Sequence, residues 1–424
     1  MKIVHICESN GGGGAPLAAA KLHHALEALG LESSMIVARA VGSAPQVVDL
    51  RAEMQFPDKL QAKLRRMTNR RRLRKYRSRE GDKLGLFSPG TGFLGAALVR
   101  HLPDADVYAL HWSRDLVDYV PLLGKISGKP VFWRMADMNP MTGGCHYAVE
   151  CDHYLHACGN CPLLEKPAQS DLSHQAWKRK QQSLSQLDPK LFHPIAPSKW
   201  LQHEAEKSGL LGRFDTKHIP TGVNTDNYRP LDQISARRHF GLPDKARIVL
   251  FGADSVDDQR KGFDLLLKAL GTLPPDQNIL PVAIGTAKNR IEGIAYLGRL
   301  EGPEELSRAY SAADVFALPT RADNLPNVAL EAMACGLPVV SFNVGGMPDC
   351  ITHGVTGCLA SAADFGEFGK HLWKILENED LRRGMSNQSR QRMLSDFSEQ
   401  ASAQKYFELC RSLVQKKTNS ASNK

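Results

Sequence analysis

The sequence predicts an α/β protein with two parallel-sheet domains. Short apolar segments typical of buried strands alternate with helical segments through both halves of the chain. Each half opens with such a strand, at residues 3–6 and 247–253, and glycine marks the turn or strand end in both places. The chain of 424 residues is also long enough for two separate cores.

Composition restricts the function classes. The chain is 42% hydrophobic and 23% charged, as is usual for a globular protein. It has no apolar run approaching the ~20 residues of a membrane span, and residues 1–6 are too short and too quickly polar for a secretory signal. We therefore expect a cytoplasmic protein.

The positive charge is concentrated in one segment. The net charge is +9, and residues 59–79 alone contain eleven Lys or Arg and no acid. Apolar residues at helical spacing give this segment the pattern of a basic amphipathic helix, which suits peripheral contact with an anionic membrane; they are Leu60, Leu64, Met67 and Leu73. Nucleic acid is a less suitable partner, because Tyr76 is the one aromatic residue there that could stack on a base. A solvated helix or a mobile loop is an equally open interpretation.

A glycine-rich loop follows the first predicted strand. Residues 9–14 precede an alanine-rich helical segment, and glycines at such a turn allow the backbone to approach a ligand closely. The spacing matches neither the dinucleotide fingerprint nor a phosphate-binding loop with Lys-Ser/Thr. Gly12, Gly13 and Gly14 are the candidate ligand-facing residues.

Polar side chains follow two further strands of the first half. His111 comes after the strand predicted over residues 105–110, so it should lie at the carboxyl edge of the sheet, where ligands bind. Arg134 and Asp137 end the next predicted strand and its loop. A structural hydrogen-bonding role for His111 is the alternative.

Four cysteines lie close together in the sequence. Cys145, Cys151, Cys158 and Cys161 have the spacing Cys-x5-Cys-x6-Cys-x2-Cys, and a closing Cys-x2-Cys favours a structural zinc site in a reducing compartment. The alternative ligands are nearby histidines, namely His146, His153 and His156. Reduced packing cysteines, redox chemistry and an iron–sulfur cluster are the other open interpretations.

The second half contains two adjacent cations, Arg260 and Lys261, before the helix predicted over residues 263–270. Cations at a helix N-terminus are unfavourable for the helix. They are favourable if a diphosphate occupies the site, since Lys supplies a point charge and Arg a planar fork. An exposed basic turn is the alternative.

The most informative stretch is residues 323–331, between a buried strand over 313–319 and a helix with Pro326 in its first turn. Backbone amides at this helix start favour an anion. The flanking carboxylates of Asp323 and Glu331 would repel an anion, so they are better suited to hydroxyl groups. A sugar nucleotide offers both a diphosphate for the amides and hydroxyl groups for the carboxylates. A capping Asp with a solvated Glu is the alternative.

Residues 323–340 resemble the signature of the retaining GT-B glycosyltransferases of family 4. The cluster from Gly143 to Cys161 resembles a branch of that family that makes colanic acid and other exopolysaccharides. The resemblance implies two Rossmann-like domains facing each other across a cleft. We expect the domains at residues 1–215 and 216–397, a helix at 398–415 that crosses back to the first domain, and a disordered tail at 416–424.

The implied reaction transfers a hexose from a nucleoside diphosphate sugar to a hydroxyl of a glycan, which the resemblance suggests is lipid-linked, with retention and without a metal. The residues carried over for catalysis are Asp323, Glu331, Lys261 and Arg260. Those carried over for the donor are Asn324, Leu325, Pro326 and Asn327, together with Gly12, Gly13 and Gly14. The candidates on the acceptor side are His111, Arg134 and Asp137.

Three positions depart from the family pattern. Asp323 stands where the family usually has Glu, Ala253 where it usually has Arg, and Ala136 where a His usually contacts the donor sugar. The Ala136 departure keeps a non-catalytic nucleotide-sugar-binding protein open as an alternative. A sugar-nucleotide epimerase shares the fold and is a further alternative.

Overall fold

The computed structural model describes residues 1–75, 87–114, 116–275 and 277–422. The chain divides into two compact units, Met1–Pro220 with Ser402–Lys424, and Thr221–Ala401. Each unit is built around one parallel sheet, which confirms the predicted fold class. The division after Pro220 lies five residues beyond the predicted domain boundary.

The first unit has a seven-stranded sheet with the order β3-β2-β1-β4-β5-β6-β7. The strands are β1 (Lys2–Ser9), β2 (Glu32–Arg39), β3 (Val47–Asp49), β4 (Val107–Leu110), β5 (Val131–Arg134), β6 (Phe192–Ala196) and β7 (Lys217–His218). The helices are α1 (Gly14–Ala28), α2 (Leu50–Glu53), α3 (Phe56–Lys75), α4 (Gly95–His101), α5 (Tyr119–Ile126), α6 (Leu172–Ser185) and α7 (Lys199–Lys207).

The second unit has a six-stranded sheet with the order β10-β9-β8-β11-β12-β13. The strands are β8 (Arg247–Ser255), β9 (Ile279–Thr286), β10 (Ala295–Gly298), β11 (Val315–Leu318), β12 (Val339–Phe342) and β13 (Gly357–Ala360). The helices are α8 (Gln233–His239), α9 (Phe263–Leu270), α10 (Gly302–Ala312), α11 (Asn327–Ala334), α12 (Met347–Cys350), α13 (Phe365–Glu377) and α14 (Glu379–Asp396).

Both sheets are buried on both faces, which explains why their strands have nearly continuous apolar sequences. In β8, Ile248 and Leu250 pack in one hydrophobic cluster of the second unit, whereas Val249 and Phe251 pack in the other. Successive side chains of a strand point to opposite faces. Strictly alternating polarity is therefore absent from this strand.

The last helix, α15 (Glu399–Ser422), returns the chain to the first unit. Tyr406 and Cys410 of α15 are buried with Ile3 and Phe132 in one cluster. The helix was expected over residues 398–415 with a disordered tail from 416. Instead it continues to Ser422, so the predicted tail is helical over most of its length.

The basic helix α3 is attached to the first unit by polar contacts. Buried Asp58 pairs with Arg100 and lies 3.4 Å from His101 Nε2. Arg65 Nη1 lies 3.1 Å from Asp118 Oδ2. The apolar stripe faces outward, with exposed fractions of 48% at Leu60, 57% at Leu64 and 45% at Met67. Residues 76–79 of the predicted basic segment lie outside the described residues.

No helix in the part of the chain that the structure describes combines the length and the apolar character needed to cross a membrane.

Candidate active site

The sheet order of the second unit predicts where a ligand site should lie. The strand order reverses between β8 and β11, which are neighbours. In open α/β sheets, ligands bind outside the carboxyl ends of the strands at such a reversal. The loop after β8 carries Arg260 and Lys261, and the loop after β11 carries Asp323. The reversal therefore brings together residues 62 positions apart.

Asp323 is the centre of this cluster. Its Oδ2 atom accepts a hydrogen bond from Lys261 Nζ at 2.5 Å and lies 3.2 Å from Arg260 Nη1. Burial favours the neutral carboxyl, but the adjacent charges of Lys261 and Arg260 outweigh it and lower the pKa of Asp323. Asp323 is thus a buried carboxylate that orients two cations. Arg260 also lies 3.5 Å from the more exposed Asp258.

Backbone contacts fix the distance between the two loops. The amide of Arg321 donates to the carbonyl of Arg260 at 2.8 Å, and the Thr320 hydroxyl donates to the same carbonyl at 3.1 Å. Gly262 has φ +76°, and a Cβ built there would lie 1.9 Å from the carbonyl oxygen of Pro319. Only glycine fits this approach and this backbone conformation without displacement.

The helix after the second loop begins as the sequence indicated, within one residue. Pro326 is the N-cap of α11, and Asn327 is its first residue. Asn324 and Leu325 are buried in the preceding turn. The four predicted donor residues therefore form the entry to one helix, directly after Asp323.

Glu331 lies buried within α11, where the hydroxyl of Tyr310 donates to its Oε2 atom at 3.2 Å. Burial raises the pKa of Tyr228, and the charge and hydrogen bond of Glu331 raise it further. Tyr228 and Tyr310 therefore both lie next to the Glu331 carboxylate. Neither Tyr228 nor Tyr310 belongs to a local motif, so no sequence signal marks these two residues.

In the first unit, the acceptor-side candidates line one narrow polar recess at the carboxyl ends of β4 and β5. His111, Arg134 and Asp137 all contribute to it, together with Ala136 and Trp112. Burial, followed by the neighbouring His5, lowers the pKa of His111 well below its usual value. Its Nε2 atom is 2.9 Å from His5 Nδ1, so the two rings are neutral hydrogen-bonding partners.

Ser88 and His146 also line this recess, and neither was predicted to bind ligand there. The His146 ring lies between Asp137 Oδ2, 2.6 Å from Nδ1, and Ser88 Oγ, 3.0 Å from Nε2. His146 was considered only as a substitute zinc ligand. The contact with Ser88 crosses 58 positions, so no sequence signal marks it.

The glycine loop also lies at the carboxyl edge of the first sheet. Gly12 has φ +78° and Gly13 is the N-cap of α1. The amide of Glu8, at the end of β1, donates to the carbonyl of Trp112 at 2.9 Å. The loop after β1 and the residues after β4 therefore flank the strand-order reversal of the first unit.

The four cysteines of the predicted zinc site are near one another but do not converge. Burial raises the pKa of Cys145 to about 12 and that of Cys158 to about 11, and the other thiols of the cluster contribute in the same direction. Four thiolates around one zinc lie within about 4 Å of each other. Within residues 1–75, 87–114, 116–275 and 277–422, the one group of three or more potential ligand atoms within 4.8 Å is His23, His24 and Glu27. No three of these thiols lie that close together in the described residues, and zinc binding stays a prediction.

Comparison with solved structures identifies the fold class as GT-B. Sucrose-phosphate synthase from Thermosynechococcus elongatus aligns over 97% of this chain and 98% of its own, with a TM-score of 0.69 and 18% identity. HepE from Anabaena, solved in complex with UDP-glucose, aligns over 97% and 100%, with a TM-score of 0.63 and 15% identity. WaaG, a glycosyltransferase involved in lipopolysaccharide biosynthesis, aligns over 96% and 99%, with a TM-score of 0.62 and 16% identity.

Sequence comparison finds relatives that match part of the chain. Residues 232–392 match the family model described as "Glycosyl transferases group 1". D-inositol 3-phosphate glycosyltransferase from Mycolicibacterium smegmatis is 32% identical over 190 residues, 42% of each chain. A GDP-mannose-dependent monoacylated alpha-(1-6)-phosphatidylinositol monomannoside mannosyltransferase from Corynebacterium glutamicum is 29% identical over 203 residues, 43% of this chain and 52% of its own.

The chain spans about half the length of the curated relatives that it matches, between 42% and 52% for these two. Their names refer to inositol phosphate and a phosphatidylinositol mannoside, rather than to colanic acid. The family model covers Arg260, Lys261, Asp323 and Glu331. It does not cover the first-unit recess or the cysteine cluster.

Proposed function

We propose that this chain is a glycosyltransferase that moves a hexose from a nucleoside diphosphate sugar to a hydroxyl of a glycan. The observation that carries the proposal is the cluster of Lys261, Arg260 and buried Asp323 at the strand-order reversal of the second unit. The cluster lies within the stretch that matches the glycosyl transferase family model. The names of the relatives, which include a GDP-mannose-dependent enzyme, support a nucleotide-sugar donor.

In the proposed mechanism the protein stabilises the leaving diphosphate. Lys261 and Arg260 supply positive charge, and amides at the start of α11 supply oriented dipoles. Asp323 holds both cations in position and can accept a hydrogen bond from a sugar hydroxyl. Glu331 accepts hydrogen bonds from the ribose hydroxyls.

We propose retention of configuration and no metal in the transfer step, as the family resemblance implies. The departing phosphate then takes the proton of the acceptor, so no protein nucleophile is required. The resemblance of the cysteine-rich stretch supports a lipid-linked glycan acceptor in exopolysaccharide synthesis.

A non-catalytic nucleotide-sugar-binding protein is the second candidate. Ala136 lines the first-unit recess at the position where relatives usually have a sugar-contacting His. This candidate predicts donor binding without turnover, whereas the transferase predicts both.

A panel of nucleoside diphosphate sugars tests the proposal. We expect calorimetry to detect binding of at least one donor to the wild-type chain, and a coupled assay to detect slow nucleotide release from that donor. Binding without release, even when a lipid-linked glycan extract is added, would favour the non-catalytic candidate. If no donor binds, the assignment of the second-unit site is wrong.

We further propose that α3 contacts an anionic membrane surface. Its polar face is bound to the protein, and its outward face combines exposed Leu60, Leu64 and Met67 with exposed basic residues, including Arg71 and Arg72. Exposed apolar side chains flanked by cations fit the interface of an anionic bilayer.

Vesicle flotation measures this contact. We expect the protein to float with phosphatidylglycerol vesicles but not with phosphatidylcholine vesicles, and added salt to release it. Replacing Leu60 and Leu64 together by Ser should abolish flotation, because it removes apolar side chains that would enter the bilayer interface. Both side chains are exposed, so their loss leaves the core intact. Leu394→Ser, at a 40% exposed leucine in the second unit, is the matched control. Unchanged flotation of the double variant would contradict the proposal.

A further inference from the structure

Helix α1 carries three potential metal ligands that the proposed function does not use. His23, His24 and Glu27 offer ligand atoms that all lie within 4.8 Å of one another. Glu27 Oε2 is 3.6 Å from His23 Nε2 and 3.1 Å from His24 Nδ1. Both rings therefore approach the same carboxylate oxygen. The arrangement follows from helix geometry, because residues three and four positions apart are neighbours on a helix surface.

The two measured separations suit ligands of one ion. Zinc binds nitrogen and oxygen ligands at about 2.0–2.1 Å, so two ligands of a tetrahedral ion are about 3.3–3.4 Å apart. The distances from Glu27 Oε2 to the two imidazole nitrogens lie on either side of this value. All three ligands belong to one helix, so the site forms without the ordering of a loop.

His23 contributes a buried nitrogen that has no hydrogen-bond partner. The residue is 0% exposed, and its Nε2 atom is unpartnered among the residues that the structure describes. Its 3.6 Å separation from Glu27 Oε2 is too long for a hydrogen bond. Burial lowers the pKa of His23, so the ring is neutral rather than half of an ion pair. A buried polar atom without a partner is costly and indicates a group that arrives from outside.

The other nitrogen of His23 determines what kind of group this is. His23 Nδ1 is 2.7 Å from the hydroxyl oxygen of Ser33, which is 3% exposed and belongs to β2. With Nδ1–H donating to Ser33, the Nε2 atom carries a lone pair beside Glu27. A neutral imidazole with one nitrogen held by a hydrogen bond and the other free is the form that binds a metal ion.

The helix end also favours a cation at this point. Glu27 lies in the last turn of α1, which contains no Lys or Arg. The C-terminal end of a helix carries partial negative charge, so a carboxylate there is unfavourable and a cation is favourable. A divalent ion at Glu27 offsets both negative charges.

We propose that His23, His24 and Glu27 bind one divalent ion of the zinc class. Two imidazole nitrogens and one carboxylate oxygen suit zinc and its first-row neighbours, whereas calcium and magnesium prefer oxygen ligands alone. The His24 side chain is 57% exposed, which leaves a fourth position open to water. Ser33 is a positioning residue that orients the His23 ring. The ion stabilises α1 and takes no part in the transfer step.

A cobalt titration tests the site. The full chain, without a histidine tag and stripped of metal by a chelator, is titrated with Co²⁺ as a spectroscopic substitute for zinc. We expect one ion with the visible absorption of cobalt bound to nitrogen and oxygen, and added Zn²⁺ should remove that absorption. His24→Ala should weaken binding at least about tenfold, since even the loss of a residue that only orients a ligand costs that much. His203→Ala, at an exposed histidine of α7, is the matched control.

A second pair of variants tests the role of Ser33. Ser33→Ala should weaken cobalt binding about tenfold. Ser34→Ala is the matched control, because the next side chain of β2 points to the opposite face of the sheet. Urea denaturation of the metal-free variants separates positioning from general damage. A loss of stability in Ser33→Ala with unchanged cobalt affinity would mean a structural role only and would overturn its assignment.

Thermal unfolding gives an independent readout of the same site. Zn²⁺ should raise the melting temperature of wild type and of His203→Ala, because a ligand that binds the folded state stabilises it. The increase should be smaller in His24→Ala. Equal cobalt affinity in wild type and His24→Ala would overturn the proposal. Cobalt that shows only thiolate charge-transfer absorption, unchanged in His24→Ala, would place the ion at the cysteines and would overturn it as well.

Discussion

Replacing Lys261 by Ala should lower donor-dependent nucleotide release at least about a hundredfold, the typical effect of removing one preorganised group that stabilises developing charge. The Lys261 ammonium is 2.5 Å from Asp323, so its position is already defined before a donor arrives. The substitution should leave the fold intact, because Arg260 stays within 3.2 Å of the same carboxylate. Lys268→Ala, at an exposed lysine of the neighbouring helix, should release nucleotide at the wild-type rate.

The same substitution has an expected pH signature. The pKa of Asp323 is lowered in the folded state, so ionisation of Asp323 stabilises the fold above its unfolded pKa of about 4. This stabilisation is lost as the pH falls through the lower folded value. Without Lys261, the largest of the charges that oppose burial is removed and the folded pKa of Asp323 rises. Acid unfolding followed by circular dichroism should then begin at a higher pH in Lys261→Ala than in wild type or Lys268→Ala. An unshifted acid transition would contradict the pairing.

Gly262→Ala should be strongly destabilising and should abolish donor binding. A Cβ at this position would lie 1.9 Å from the Pro319 carbonyl oxygen, so the loop after β8 has to move away from the end of β11. Lys261 then no longer reaches Asp323. Such a backbone clash, added to the left-handed conformation, is expected to lower the free energy of unfolding by about 4 kcal/mol.

Gly354→Ala provides a control that isolates the close approach. Gly354 has φ +77°, almost the same as Gly262, but a Cβ there has nothing within 4 Å. In Gly354→Ala the free energy of unfolding should fall by only about 1–2 kcal/mol, the cost of a left-handed conformation for a residue with a Cβ. Urea denaturation of both variants and donor calorimetry measure the comparison. Similar losses in both would mean that the contact with Pro319 does not determine the position of the loop.

The loops after β8 and β11 illustrate an arrangement that the sequence could predict. Lys261 and Asp323 each lie after an apolar strand, and the reversal of strand order places such loops side by side. What the sequence did not indicate is that the two side chains bind each other. Arg260 and Lys261 were expected to be directed at a diphosphate. In the structure, both contact the carboxylate of Asp323.

Helix α3 illustrates a pattern whose orientation could not be predicted. Leu60, Leu64 and Met67 share one face at helical spacing, and an apolar stripe of this kind packs on the core or lies on a membrane surface. In the structure the polar contacts of Asp58 and Arg65 attach the opposite face to the unit. Helical periodicity shows which residues share a face. It does not show which face the rest of the chain will cover.

The sequence by itself determined the two parallel α/β units, the polar loops that follow β8 and β11, and the helix that begins at Asn327. These features follow from local polarity, glycine and proline over short stretches. Only the tertiary structure decided the contacts of Tyr310 with Glu331 and of His146 with Ser88 and Asp137. Those contacts join residues up to 58 positions apart. Local patterning carries no information about such contacts, since they form only when the sheet brings separate strand ends to one edge.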